Sequence, residues 1–110
     1  MKALIIKQPW IDYILDGKKT WEIRGSKTHI RGQIELIQSG SGLVVGCCEL
    51  VDCLPLNIDD YRLNIAKHNI TNVETLPYNK TYAWVITNAQ RYENPRKYKH
   101  PNGAIIWVNL

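Results

Sequence analysis

The amino-acid sequence predicts a mixed α+β domain that is mainly β, a small barrel of five or six short strands with two short helices beside it. Short apolar runs rich in β-branched residues recur along the chain, as strands require. Glycine-containing turns separate several of these runs. Only two segments have helical periodicity. Since 110 residues suit one hydrophobic core, we expect a single domain over residues 1–110.

The first third of the chain predicts a strand, a helix and a second strand. Residues 3–6 form the first apolar run, and Pro9 is suited to the first turn of a helix. One side of that helix is apolar and consists of Trp10, Ile11, Ile14 and Leu15. Gly17 stands where a helix of about two turns would end. Residues 18–24 follow as a strand.

The middle of the chain predicts a hairpin. Residues 32–38 alternate in polarity, the Ser-Gly repeat at residues 39–42 is a flexible turn, and residues 43–54 form a long strand. Gly46 marks a bulge or a close-approach point within that strand. We expect the two strands to pair as neighbours around the turn.

The second half of the chain predicts one more helix and two more strands. Asn57 is suited to cap a helix that continues to residue 67 or 68. After a loop, strands are expected at residues 81–89 and 104–108. The segment between these strands, residues 91–100, is both basic and aromatic.

A charged strand pattern runs over residues 17–24, whose sequence is GKKTWEIR. Successive strand residues face opposite sides of a sheet, so Glu22 and Arg24 share one face and Lys19 lies on the other. A twist or bulge near Gly17 would bring Lys19 to the same side as Glu22 and Arg24. The alternative is a half-buried strand with a solvated charged face, which is common in antiparallel sheets.

Residues 17–24 also resemble a known signature. Gly17, Lys19, Glu22 and Arg24 fit the pattern G-x-K-x-x-E-x-R of the ASCH family, a branch of the PUA-like superfamily. Other segments that resemble this family occur in its order, at residues 6–10, 43–53, 82–86 and 103–107. The resemblance implies a PUA-like pseudo-β-barrel that is closed on itself, with helices at its openings. Closure would also remove exposed sheet edges.

The signature residues are the main candidates for binding and catalysis. Arg24 offers a planar guanidinium to a phosphate or a base edge, and Lys19 is a point charge, or a nucleophile if burial lowers its pKa. Glu22 can accept a hydrogen bond from an amino group or transfer protons. The resemblance implies a cleft that takes a nucleotide or RNA, with Lys19, Glu22 and Arg24 binding the ligand and, in an enzyme, Lys19 and Glu22 catalytic. The alternative is a Glu–Arg surface pair worth less than about 1 kcal/mol.

Four further residues are candidates for the surroundings of this cleft. Gln8 and Trp10 precede the signature and lie beside it if the first helix packs on the barrel mouth. Trp10 is suited either to stack on a base or to join the core, since it lies on the apolar side of the helix. Asn88 and Arg91 are rim candidates because they stand at the end of a predicted strand.

Basic side chains are concentrated at the two ends of the chain, and the net charge is +4. Residues 1–31 hold seven Lys and Arg against three Asp and Glu, residues 32–79 hold two against six, and residues 80–110 hold five against one. If the ends meet in space, they would form one basic surface that attracts phosphates. The alternative is a mixed surface whose charges serve solubility.

No pattern of a metal site or a bound cofactor is present, and we expect neither. Cys47, Cys48 and Cys53 lack the spacing of zinc ligands and are expected to be buried thiols of a cytoplasmic protein. No phosphate-binding loop or catalytic-triad order occurs. The chain begins with no signal-peptide pattern, and no apolar run has the length of a membrane span, so we expect no membrane partner.

These observations predict an intracellular module that binds nucleic acid, RNA rather than DNA, or a nucleotide. The rival is a small metal-independent hydrolase, because the resemblance extends to amidohydrolases of an acylated cytidine or another modified nucleoside and to relatives linked to RNA cleavage. Where the amidohydrolases have a hydroxyl residue this chain has Glu22, and Thr20 is the nearest hydroxyl. We expect nearby Glu22 to keep Lys19 protonated, which favours binding. A third class is a protein-interaction domain, as small barrels serve many functions.

Overall fold

Six strands in one sheet and three short helices make up the computed structural model, which describes residues 1–110. The elements are β1 Lys2–Ile6, α1 Trp10–Leu15, β2 Trp21–Arg24, β3 Gly32–Gln38, β4 Leu43–Leu56, α2 Ile58–Leu63, α3 Ile65–His68, β5 Thr81–Lys97 and β6 Trp107–Asn109. The prediction of a mixed, mainly β fold is confirmed. No helix is long and apolar enough to cross a membrane.

The strand order in the sheet is β2-β5-β4-β3-β1-β6, and all pairs are antiparallel except β1 with β3. The predicted closure of the barrel is wrong at the level of backbone hydrogen bonds, because the end strands β2 and β6 do not pair. These strands have only four and three residues. Next to β2, the N–H of Thr20 bonds to the carbonyl of Lys67 in α3 rather than to a strand.

Side chains bridge the gap that the backbone leaves open. Arg24 in β2 donates from Nη2 to the carbonyl oxygen of Ile5 in β1 at 2.9 Å. Trp84 in β5 stacks on Trp107 in β6, with ring centroids 5.7 Å apart. These strands are not neighbours in the sheet, so the sheet bends round until its two ends approach. The fold is therefore a pseudo-barrel whose seam consists of side chains.

Several element boundaries differ from the sequence prediction: β2 begins at Trp21 rather than at residue 18, β4 continues to Leu56, and three larger differences follow. The second predicted helix is divided at Asn64, which has a non-helical conformation, so there are three helices rather than two. The last strand begins at Trp107 rather than at residue 104. The strand β5 continues through the basic aromatic segment to Lys97, because the long strand β4 offers it a partner as far as Leu43.

Several local predictions are confirmed. The strands β3 and β4 form a hairpin, and the Asn57 side chain accepts a hydrogen bond from the N–H of Asp60 at 2.8 Å, as an N-cap does. At Gly46 the β4–β5 register shifts, and a Cβ there would collide with the backbone of Gln90 and the side chain of Leu15. This contact packs α1 closely on the sheet, which places the end of α1 beside β2.

Candidate ligand-binding cleft

The turn after α1 positions Lys19. Gly17 has a φ of +79°, and its N–H bonds to the carbonyl of Ile14 at 3.0 Å. The N–H of Lys18 bonds to the carbonyl of Tyr13 at 2.9 Å, which completes a Schellman motif. Lys19 therefore lies in a helix-terminating turn rather than in β2, so strand alternation does not apply to it. This is how it reaches the face of the later signature residues.

The backbone on both sides of Lys19 is fixed by the end of α3. The side chain of Asn69 donates to the carbonyl of Lys18 at 2.7 Å, and the N–H of Thr20 donates to the carbonyl of Lys67 at 2.8 Å. On the other side, the carbonyl of Thr20 accepts from the N–H of Ile86 in β5 at 2.8 Å. These bonds fix the backbone from which the Lys19 side chain extends.

Lys19 is a buried amine with several partners. Its Nζ donates to the carbonyl of His68 at 2.6 Å, lies 3.8 Å from Glu22 Oε1, and lies 4.9 Å from the ring centroid of Trp10. Only 1% of the side chain is exposed. Burial lowers the pKa of Lys19 to about 8; Glu22 opposes this shift and Arg24 adds to it. Burial therefore outweighs the effect of Glu22 on this pKa, but a pKa of about 8 still leaves most Lys19 amines protonated at neutral pH.

Glu22 and Arg24 form a partly buried ion pair in β2. Glu22 Oε2 accepts from Arg24 Nε at 3.0 Å and from Nη2 at 2.8 Å. The guanidinium lies 5.5 Å above the ring centroid of Trp84, and its Nη2 also holds the Ile5 carbonyl. Arg24 thus fixes the Glu22 carboxylate instead of lying free for a phosphate. Glu22 Oε1 accepts no hydrogen bond, and since no buried side-chain polar atom lacks a partner, this oxygen keeps access to solvent.

These side chains line a cleft of about 590 Å³. A cavity of this size accommodates a nucleotide-sized molecule. Its charged lining consists of Lys7, Lys19 and Arg24 as cations and Glu22 as the only carboxylate. The surplus of positive charge favours an anionic ligand.

His68 supports the cleft through its backbone carbonyl, which accepts the hydrogen bond from Lys19. This residue was not singled out from the sequence. Its Nδ1 accepts from the N–H of Ile70 at 3.0 Å, so Nε2 carries the proton that bonds to the carbonyl of Tyr61 at 2.7 Å. The ring stacks on Tyr61 with centroids 4.6 Å apart. Burial lowers the pKa of His68, the Tyr61 carbonyl opposes this, and Lys19 adds to it. No local pattern marks this role, since it depends on a backbone carbonyl.

Four of the predicted site residues line the cleft: Trp10, Lys19, Glu22 and Arg24. Gln8 and Asn88 are exposed and lie outside its lining. Arg91 also lies outside it. Trp10 packs against the core, as one of its two interpretations expects, and the Lys19 ammonium lies over its ring.

Several further lining residues were missed because they stand in turns and loops. They are Lys7, Ser39, Asn72, Thr75 and Tyr78. Segments without hydrophobic periodicity carry no signal of what they cover. Thr20, the hydroxyl residue nearest to the signature in sequence, is exposed and outside the cleft. No group of three or more His, Cys, Asp or Glu side chains is placed to hold a metal ion.

A sheet that curls until its ends approach, with a cleft at its seam, is the arrangement expected from the family that residues 17–24 resemble. The model of the ASCH domain matches residues 4–96, so the chain belongs to the ASCH domain family. This family is associated with RNA binding or hydrolase activity. No curated protein matches the chain in sequence.

Solved structures of ASCH proteins from Zymomonas mobilis are similar in fold. A serine-to-alanine variant has a TM-score of 0.76 and 13% identity, over 99% of this chain and 87% of that one. A tyrosine-to-phenylalanine variant has a TM-score of 0.75 and 14% identity, over 99% and 88%. A further ASCH structure has a TM-score of 0.68 and 14% identity, over 82% and 68%. At such identities the likeness establishes the fold alone.

Proposed function

We propose that the cleft binds one nucleotide, either free or as a unit of an RNA strand, by the polar edge of its base. The observation that carries this proposal is the pair formed by Glu22 Oε1 and Lys19 Nζ, 3.8 Å apart in the cleft. It sets a hydrogen-bond acceptor beside a donor. The amino group and ring nitrogen of cytosine or adenine offer the complementary arrangement, and carboxylates accept from such amino groups in known base recognition.

The other charges of the cleft fit the rest of a nucleotide. Arg24 donates two hydrogen bonds to Glu22 and one to the Ile5 carbonyl, all from Nε and Nη2. The Nη1 of Arg24 therefore has no partner in the protein. Lys7 is exposed and lines the cleft, so it is the cation best placed for a phosphate. A cleft of this size binds one nucleotide rather than a long stretch of RNA backbone.

The experiment is a calorimetric titration with cytidine and adenosine 5′-monophosphates and with a short single-stranded RNA. Glu22→Gln should weaken binding by about 1–3 kcal/mol, the range for a charge-assisted hydrogen bond. The matched control is Glu49→Gln, which alters an exposed carboxylate on β4 and should leave affinity unchanged. Failure of the unaltered chain to bind any of these probes at low salt would refute the proposal.

A second candidate, hydrolysis of an acylated nucleoside, is favoured by the pKa of about 8 for Lys19. At neutral pH about a tenth of such amines are unprotonated, compared with far fewer for an ordinary lysine. An unprotonated buried amine can serve as a nucleophile or a base. The hydroxyls of Ser39 and Thr75 also line the cleft.

Turnover of an N-acylated cytidine would decide between these candidates. Hydrolysis adds water across the amide bond and releases a carboxylic acid and the free amino group. If Lys19 takes part, the rate should rise with pH towards an apparent pKa near 8, and Lys19→Ala should abolish it while the fold persists. No hydrolysis by a chain that binds the nucleoside would leave binding as the function.

A further inference from the structure

Tyr78 is a large aromatic side chain that lines the cleft. It belongs to the segment between α3 and β5, and 46% of it is exposed. Its hydroxyl makes no hydrogen bond within the protein. Its backbone carbonyl accepts a hydrogen bond from the Thr81 hydroxyl at 2.9 Å. An aromatic ring left half in water at the edge of a cleft suits contact with a ligand.

Gly25 is shaped to receive this side chain. A Cβ at position 25 would lie 2.8 Å from Cδ1 and 2.9 Å from Cγ of Tyr78, closer than real Cβ contacts. The other glycines have different reasons to be glycine: five have positive φ, and Gly46 is crowded by backbone. Gly25 has neither feature, so the close approach of Tyr78 alone accounts for it. The residue directly after the signature thus fixes the inner end of the Tyr78 side chain.

Trp10, the aromatic residue that the sequence suggested for stacking, is less available. The ammonium of Lys19 lies over its ring, and Tyr13 meets its edge with centroids 5.9 Å apart. The third aromatic lining residue, Tyr61, is 1% exposed and stacked on His68. Tyr78 is therefore the aromatic surface that the cleft offers to a ligand.

We propose that Tyr78, braced against Gly25, is the surface on which the base of the bound nucleotide stacks. The inference rests on the proposed binding of a nucleotide in this cleft and adds the residue that supports the base plane. Glu22 and Lys19 contact the edge of the base, and Tyr78 contacts its face. Stacking is tolerant of base identity because every base has a π-face.

The test uses cytidine and adenosine 5′-monophosphates as probes and three variants of the full chain. Tyr78→Leu keeps an apolar side chain but removes the ring, and should weaken binding about 5- to 150-fold. Tyr78→Phe keeps the ring and should remain within about threefold of the unaltered chain. Gly25→Ala should weaken binding by displacing the ring, but should have no further effect when combined with Tyr78→Leu.

Each other outcome overturns the inference in an identifiable way. If the unaltered chain binds the nucleotides and Tyr78→Leu binds them equally well, stacking on Tyr78 is refuted and the proposed function stands. If Tyr78→Phe loses as much as Tyr78→Leu, the hydroxyl rather than the ring is responsible. If the unaltered chain binds neither nucleotide, this inference fails for free nucleotides, and the proposed function fails as well if the chain also does not bind the short single-stranded RNA. Should Tyr78→Leu fail to fold, Gly25→Ala carries the test, because unchanged nucleotide binding by that variant would refute stacking on a Tyr78 ring braced against Gly25.

Discussion

Two regions of this protein are rich in basic residues, and they use their charges in opposite ways. The first is the cleft, where Lys19 and Arg24 have side chains that are 1% and 17% exposed. The second is the outer β5 segment, residues 88–97, where the side chains of Arg91 and Arg96 are about half exposed. Burial is therefore the first property that separates two regions that look alike in the sequence.

In the outer β5 segment, acidic side chains from elsewhere neutralise the arginines. Arg91 contacts Asp12 at 3.3 Å and Asp16 at 3.0 Å, both at α1. Arg96 contacts Glu35 in β3 at 2.8 Å. The terminal strands β1 and β6 do pair, so the two ends meet as considered from the sequence. Arg91 and Arg96 are nevertheless already paired, because the fold places acidic side chains beside them.

The cleft differs because its lining holds more cations than carboxylates. Its Lys19, Glu22 and Arg24 side chains are also too buried to be fully solvated. A buried ion pair is costly to break, whereas an exposed pair contributes little. The atoms without partners, Glu22 Oε1 and Arg24 Nη1, then remain for a ligand. A count of basic residues thus says less about binding than the position of their partners.

The largest expected effect is the loss of stability in Arg24→Ala. Removing the guanidinium leaves the Glu22 carboxylate buried without its partner, which should cost about 3–5 kcal/mol of the free energy of unfolding. Urea denaturation measures it. A loss below about 1 kcal/mol would mean that the pair behaves as an exposed one. Combining the change with Glu22→Gln should restore part of the loss, since the carboxylate that loses its guanidinium partner is then absent, while Lys19 remains without its carboxylate neighbour.

The second effect concerns the pH dependence of stability. Because the pKa of Lys19 falls from its usual 10.5 to about 8 on folding, the unfolded chain binds more protons between these values. Stability from this group is therefore absent below pH 8 and grows as pH rises to 10.5, by up to about 3 kcal/mol. The free energy of unfolding, measured against pH for the unaltered chain and Lys19→Met, isolates this contribution. Parallel curves would show that Lys19 titrates normally.

A smaller effect is expected in the salt dependence of RNA binding. If one phosphate is held at Lys7, a tenfold rise in salt should weaken binding about fivefold. Fluorescence titration of a labelled single-stranded RNA at several salt concentrations gives this slope. A slope several times steeper would indicate that an extended basic surface, such as the outer β5 segment, takes part.

The smallest effect is expected for Arg91→Ala. Its two ion pairs are exposed and screened by water, so the free energy of unfolding should change by less than about 1 kcal/mol. The measurement is the same urea denaturation used for Arg24→Ala. A loss comparable to that of Arg24→Ala would remove the distinction between the two regions.

The sequence predicted the fold class and the meeting of Lys19, Glu22 and Arg24 in a cleft, but not the contacts that hold these side chains in place. Hydrophobic runs, the turn at Gly17 and the close approach at Gly46 are local features, and they were readable from the chain. The open seam was not, because it depends on how short the end strands are. His68 and Tyr78 were missed for a similar reason, since a carbonyl contact and a loop position have no local pattern.

The same limit explains what the sequence left out about charge. Glu22 was expected to keep Lys19 protonated, as a neighbouring opposite charge does, and with a pKa of about 8 most Lys19 amines are still protonated at neutral pH. The opposing effect is the burial of Lys19 by α3 and Trp10, which only the folded chain reveals. Arg91 was likewise a candidate for the rim of the cleft, but the fold pairs it with Asp12 and Asp16 instead.

The most direct test of the account compares two charge removals of equal size, Lys19→Met in the cleft and Arg91→Met in the outer β5 segment. The measured quantity is the dissociation constant of cytidine 5′-monophosphate, by calorimetry, for chains shown by circular dichroism to be folded. Lys19→Met should weaken binding about tenfold or more, while Arg91→Met should stay within about twofold of the unaltered chain. Equal losses, or a loss confined to Arg91→Met, would contradict the account.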